Sequence, residues 1–172
     1  MRHEWEMQRI RVLFVQFVAK LISLRTLAID LGSRRVGLAL SDEGGRFATP
    51  LDVLTISSPQ QAADEVLKVV AKEQPQRLVV GLPLNMDDSV GPAARSTITW
   101  AKNLSERAKL PLIFVDERLS SFAAEQHLAD RKRSGERMTR QMKKERLDAI
   151  AAAGFLQAFL DGRLVPIDVD PA

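Results

Sequence analysis

Three stretches of this sequence carry carboxylates where a shared metal ion would need them. Asp30 lies in Thr26-Leu27-Ala28-Ile29-Asp30-Leu31-Gly32. Asp116 and Glu117 close Leu112-Ile113-Phe114-Val115-Asp116-Glu117, and Asp148 opens the alanine-rich Asp148-Ala149-Ile150-Ala151-Ala152-Ala153. Two acid positions thus fall at the ends of apolar strands and one on a helix beside small residues. A sheet can bring distant strand acids together, and small neighbours let a helix approach that sheet closely. Clustered carboxylates repel unless something neutralises them. Hard divalent cations such as Mg²⁺ or Mn²⁺ do so with oxygen ligands, and a pair of such ions can clamp the attacking and leaving oxygens of a phosphodiester.

Each acid also has a plainer reading. Asp30 could cap the turn that follows it, but a carboxylate inside an apolar strand is costly if buried without a partner. Adjacent strand residues point to opposite faces, so Asp116 and Glu117 have different jobs: one is available to a metal, the other to Arg118 or the turn. Asp148 has Ala151, Ala152 and Phe155 at i+3, i+4 and i+7. Those neighbours turn it inward, where an Asp needs a partner. Asn85, in Gly81-Leu82-Pro83-Leu84-Asn85-Met86-Asp87, stands in a strand-end loop that could line a substrate groove. His127 reads as a surface residue, and Glu145 and Asp161 as surface or capping residues.

The elements that must position these acids follow from hydrophobic periodicity. Residues from about Trp5 to Leu24 form an amphipathic helix with Ile10, Leu13, Phe14, Phe17 and Leu21 on its apolar face. Strands are expected at Thr26–Leu31, Val36–Ser41 and Arg46–Leu54, joined by the tight turns Gly32-Ser33-Arg34-Arg35 and Asp42-Glu43-Gly44-Gly45. Such short turns imply an antiparallel meander. Then come a helix over Pro59–Lys72 capped by Ser57 or Ser58, a strand over Arg77–Gly81 and a helix over Val90–Ala108. A strand over Leu110–Asp116 and helices over Leu119–Asp130 and Gln141–Leu160 complete the pattern. A meander followed by βα units gives an α/β fold, a five-stranded mixed sheet flanked by helices. The expected organisation is an N-terminal helical extension over residues 1–24, one domain over 25–162 and a short, loose tail over 163–172.

Bulk properties narrow the chemistry. The chain has 172 residues, 45% hydrophobic and 27% charged, which suits one packed domain rather than disorder. It has no cysteine, so disulfides, thiolate nucleophiles and zinc–thiolate sites are excluded and a reducing compartment fits. Its two histidines are far apart in sequence, which leaves little for a His-rich site or a serine triad. Net charge is +3, but Arg131 to Arg146 holds eight Lys/Arg and two Glu, a local +6 that leaves −3 for the remainder. A basic block directly before Asp148 points to a polyanion. The longest apolar region, Ile10–Leu24, is interrupted by Arg11, Gln16 and Lys20 and is too short to span a bilayer. No cleavage site of small residues follows it, and cytoplasm is the expected compartment.

Four segments, DLGSRRVGLAL, VVGLPLNMD, VDERLSS and RLDAIAAAGFL, together resemble the YqgF family, also called RuvX, a Holliday junction resolvase-like family. The resemblance covers about residues 25–160. It implies an RNase H-like fold and a nuclease that processes the 5′ end of pre-16S rRNA. It also implies that Asp30, Glu117 and Asp148 are the catalytic, metal-holding acids, with Mg²⁺ or Mn²⁺ as cofactor. Asn85 and Arg118 would line the site. Arg131, Lys132, Arg133, Lys143, Lys144 and Arg146 would hold nucleic acid, either pre-rRNA or branched DNA. No membrane is involved, and a homodimer would suit symmetric cutting of a junction. Two departures from the family pattern are the added residues 1–24 and Ser121, where threonine is common. The competing readings are a junction resolvase, a non-catalytic nucleic-acid-binding module, and an ATPase of the actin and sugar-kinase type. The last normally needs two related domains.

Overall fold

Alternating small and large apolar residues give each strand two faces, and the helices sort themselves onto those faces. The computed structural model describes residues 24–119 and 140–169. Its strands are β1 (Thr26–Leu31), β2 (Arg35–Ser41), β3 (Ala48–Thr55), β4 (Arg77–Leu82) and β5 (Leu112–Asp116). Its helices are α1 (Pro59–Glu73), α2 (Pro92–Ala108) and α3 (Arg140–Leu160), with a 3₁₀ turn over Glu117–Leu119. The sheet order is β3-β2-β1-β4-β5. β1, β2 and β3 pair antiparallel, and β4 and β5 add parallel to β1. This is the mixed sheet expected from the short turns and the βα units.

Side chains alternate across a strand, so residue parity assigns each face. Leu27, Ile29, Val36, Leu38, Leu78, Val80 and Phe114 pack with Ala62, Ala63 and Val66 of α1 and Ala101 and Leu104 of α2. The opposite face presents Ala28, Ala39, Val79 and Val115, and Ala152, Ala153, Phe155 and Leu156 of α3 cover it. Small sheet residues under a helix rich in alanine permit a close approach. Phe155 is the largest fully buried residue of that layer, and its truncation to alanine would cost about 3–5 kcal/mol. Buried Arg77 also serves this face: it donates to Thr26 Oγ1 at 2.9 Å and lies 4.9 Å from the Phe159 ring centre.

Element ends follow their local chemistry. Ser58 caps α1, accepting the Gln61 N–H at 3.1 Å. The Gly32–Arg35 turn closes with Gly32 N–H donating to Arg35 carbonyl at 2.9 Å. β3 begins at Ala48 rather than Arg46, because Asp42 Oδ1 accepts the N–H groups of Arg46 (2.6 Å) and Phe47 (2.8 Å) and prolongs the turn. β3 is an edge strand, where Pro50 is tolerated. β5 begins at Leu112 rather than Leu110: Leu110 N–H donates to Ser105 carbonyl as α2 ends, and Pro111 has no N–H.

The tail corrects the expectation of a loose end. Leu164 is buried, and Ile167 N–H donates to the Phe114 carbonyl at 2.8 Å, so residues 164–167 cover the outer edge of β5. Apolar Leu164 and Ile167 give this segment something to bury. The expected helices at Trp5–Leu24 and Leu119–Asp130 lie outside the described residues, apart from their end residues Leu24 and Leu119. His127, Ser121, Arg131, Lys132 and Arg133 lie outside them too, as do the side chains of Lys143, Lys144, Glu145 and Arg146 on α3. Among the described residues no helix is long and apolar enough to cross a membrane.

Candidate active site

Parity places Asp30 on the α3 face of the sheet, two residues beyond Ala28, and Glu117 on the same side, two beyond Val115. Gly37 stands directly across from Asp30 in the β1–β2 register. With no side chain there, α3 settles onto β2. A Cβ on Gly37 would overlap the Asp148 carbonyl and come within 2.9 Å of the Ala149 nitrogen. The helix therefore delivers Asp148 beside Asp30. Gly81, two residues beyond Val79, does the same for the other acid: a Cβ there would lie 3.0 Å from Glu117 Cβ and 3.1 Å from Phe155 Cε1.

The three acids share one field. Burial raises the Asp30 carboxyl from 3.8 to about 7, with the charges of Glu117 and Asp148 adding to the rise. Burial also raises the Glu117 carboxyl, helped by the neighbouring charge of Asp116. A cavity of about 280 Å³ is lined by Asp30, Gly32, Ser33, Arg34, Arg35 and Asp148. Within it Arg35 Nε donates to Asp148 Oδ2 at 2.5 Å. Asp148 therefore has its partner, and that partner is a guanidinium. Gly32 contributes close backbone approach rather than a positive φ, since a Cβ there would meet the Arg35 carbonyl at 2.9 Å.

Asp116 turns away from this group. Arg118 donates to both its carboxylate oxygens, through Nε at 3.0 Å and Nη2 at 2.6 Å, and its backbone N–H adds a bond at 2.9 Å. These bonds hold the Asp116 carboxyl below the usual carboxylate range. Of the adjacent pair, then, Asp116 belongs to Arg118 and Glu117 to the field around Asp30. Arg118 also donates to the Asn85 carbonyl at 2.6 Å and to Asp88 Oδ1 at 2.5 Å. Asp88 has a positive φ of 64°. The Asn85 side chain is spent within its own loop, donating to Ser89 Oγ at 2.8 Å. Arg118 thus ties the loop after β4 to the end of β5.

Carboxylate oxygens gathered in one field suit a hard divalent cation. Yet among the described residues no group of three acids or histidines stands at metal-holding spacing. Asp148 is drawn onto Arg35, and Glu117 lies close against Gly81 and is not among the residues lining the cavity. Three contributors were not singled out from the sequence. Gly37 and Gly81 carried a signal, a glycine inside an apolar strand, which marks close backbone approach. Arg35 carried none beyond its place in a turn.

A family model described as "RuvX: Holliday junction resolvase" matches residues 24–162. A Chelativorans sp. (strain BNC1) protein named "Putative pre-16S rRNA nuclease" is 41% identical over 143 residues, covering 83% of this chain and 86% of that protein. An Acidiphilium cryptum protein of the same name is 39% identical over 137 residues, covering 80% and 84%. Among solved structures, T. thermophilus RuvC in complex with a Holliday junction substrate superposes with a TM-score of 0.51 at 15% identity, covering 84% of this chain and 99% of that one. The Fowlpox virus resolvase complex with Holliday junction DNA gives 0.51 at 10% identity, covering 81% and 98%. These two likenesses concern the fold.

Proposed function

The chain belongs to the RuvX family, and from that premise we propose that it is a divalent-metal-dependent nuclease that trims the 5′ end of pre-16S rRNA in the cytoplasm. The observation that carries this reading is the field around Asp30: burial and the charges of Glu117 and Asp148 hold its carboxyl near neutrality. A fold gains nothing from such an arrangement, whereas a cation entering it relieves the repulsion.

In this reading Asp30, Glu117 and Asp148 hold Mg²⁺ or Mn²⁺. The ion supplies water activation and neutralises charge developing at the phosphate. Asp30 anchors the site from the rigid centre of the sheet. Asp116 and Arg118 fix the exit of β5, so Glu117 keeps its direction. Asn85 and Arg118 shape the rim where a strand of nucleic acid would enter. Arg131, Lys132, Arg133, Lys143, Lys144 and Arg146 bind phosphates, a contact that carries no sequence information. Selection then falls to shape or single-strandedness. Aromatic residues make up 5% of the chain and none is tyrosine, so base stacking contributes little.

Branched DNA is the second reading, supported by the family description and by the junction resolvases that share the fold. It would call for a homodimer to cut two strands symmetrically. One assay tests both: labelled single-stranded RNA, single-stranded DNA and a four-way junction, each with Mg²⁺, Mn²⁺ or EDTA. Cleavage that needs metal and disappears in Asp30→Asn, with binding retained, is the expected result, and the preferred substrate decides between the readings. Binding with no cleavage of any substrate would leave a non-catalytic nucleic-acid-binding module.

A further inference from the structure

The metal-holding reading and the geometry disagree at Asp148 as well as at Glu117, and the disagreement at Asp148 has a named partner. Asp148 should face a cation shared with Asp30, but its Oδ2 accepts from Arg35 Nε at 2.5 Å. Arg35 lines the same cavity as Asp30 and Asp148. The ion pair is partly open to solvent, with side-chain exposures of 30% for Arg35 and 27% for Asp148, so either group can leave without stranding a charge in the interior. Arg35 starts β2, directly after the turn, and its backbone is fixed by pairing with Thr55. Its long side chain is the movable part.

We propose that Arg35 is a tethered counter-ion: it neutralises Asp148 while the site is empty, yields Asp148 to an entering divalent cation, and then binds a phosphate of the nucleic acid. The inference rests on the metal-dependent reading above and concerns only what Arg35 does within it. A guanidinium fork suits both partners, since carboxylate and phosphate present the same paired oxygens. Arg35 faces an anion both before loading and after nucleic acid binds: first the Asp148 carboxylate, then a phosphate. The device holds the acids together before loading and offers a phosphate ligand after it, beside exposed Arg34 on the same cavity wall.

The test is Mn²⁺ binding, read by electron paramagnetic resonance of the free ion, on the full chain and on Arg35→Gln, Arg34→Gln, Asp148→Asn and Arg35→Gln/Asp148→Asn. Arg34→Gln removes the same charge from the same turn without touching Asp148, and so corrects for the general field. Loss of a competitor should tighten Mn²⁺ binding in Arg35→Gln by about tenfold beyond Arg34→Gln, a coupling of ordinary size for linked sites. In the Asp148→Asn background the extra effect of Arg35→Gln should vanish. Oligonucleotide binding with Ca²⁺ in place of EDTA should steepen in salt dependence for the parent chain and not for Arg35→Gln. If Mn²⁺ binds every chain and the two arginine variants behave alike, the counter-ion role is overturned while the metal reading stands. If Mn²⁺ binds neither the parent chain nor any variant, the metal reading falls and this role falls with it.

Discussion

Gly37 and the backbone of Asp148 occupy space that one added methyl group would deny to both: a Cβ on Gly37 would overlap the Asp148 carbonyl. Asp30 is the cross-strand neighbour of Gly37, so the missing side chain sets how near α3 brings its acid to the acid on β1. Gly37→Ala should therefore lift the first turns of α3 off the sheet. Overpacking of this kind costs about 1–3 kcal/mol, read as a lower urea midpoint at unchanged slope. Cleavage should fall further than stability does, because Asp148 moves with the helix. Gly81→Ala is the milder companion: the added methyl meets Glu117 Cβ at 3.0 Å and Phe155 Cε1 at 3.1 Å, and side chains can give way. A Gly37→Ala protein with the parent midpoint would show that the helix is not seated by this glycine.

Much of this frame could be read from local chemistry. The apolar run and Gly32 bound β1, and Ser57 or Ser58 and the change of period bound α1, because both signals act within a few residues. The parity rule gives Asp116 and Glu117 different jobs, and their contacts show which is which. What local reading missed depended on contacts between distant segments. The tail reads as short and loose, yet Ile167 pairs with Phe114, across a separation no local pattern reports. Arg35 looked like one more turn residue, since its partner is 113 positions away. The family resemblance implies only that Arg118 lines the site. The structure adds that its guanidinium already serves Asp116, Asp88 and the Asn85 carbonyl.

The raised Asp30 carboxyl makes stability depend on pH in a definite direction. Below about pH 4 the folded and unfolded chains both hold the proton, and Asp30 contributes nothing. Between 3.8 and about 7 the unfolded chain releases it while the folded chain keeps it, so stability falls as pH rises through that window. Above it the loss is constant. Asp30→Asn removes the ionisation. In EDTA the variant should match the parent near pH 4 and exceed it at pH 8, by about 4 kcal/mol, given a rise of about three pKa units at about 1.4 kcal/mol for each unit. Denaturant unfolding across pH 4–8 measures the gap, and parallel curves for the two proteins would place Asp30 in a solvated, ordinary environment. Added Mn²⁺ should stabilise the parent at pH 8 and leave Asp30→Asn little changed.

Arg118 joins two chain segments around Glu117, and its two acidic partners are unequal. Asp88 is exposed, with 80% of its side chain accessible, whereas Asp116 has 21%. Exposed ion pairs contribute little, so Asp88→Asn should leave cleavage close to the parent rate. Arg118→Ala releases Asp116, the Asn85 carbonyl and the loop together, and the resulting misplacement of Glu117 should slow cleavage by about ten- to a hundredfold. Arg118→Lys keeps the charge but not the fork that serves several acceptors, and should recover only part of the loss. Single-turnover rates on the preferred substrate distinguish the three variants. Equal rates in Arg118→Ala and the parent would remove any positioning role.

Lys143 and Lys144 fall on the first turns of α3, the helix that carries Asp148. If this end of the helix holds phosphates, each lysine displaces condensed counter-ions when nucleic acid binds, and the dependence of affinity on salt reports their number. Lys143→Ala/Lys144→Ala should weaken binding to single-stranded RNA regardless of sequence. It should also lower the slope of log affinity against log salt by about 1.4, at roughly 0.7 per phosphate contact on a single strand. The variant should retain the parent's Mn²⁺ affinity, since neither lysine belongs to the acidic site. Fluorescence anisotropy between about 50 and 200 mM salt resolves a change of that size. A slope equal to the parent's would take these two lysines out of the interface and leave the phosphate contacts to other parts of the chain.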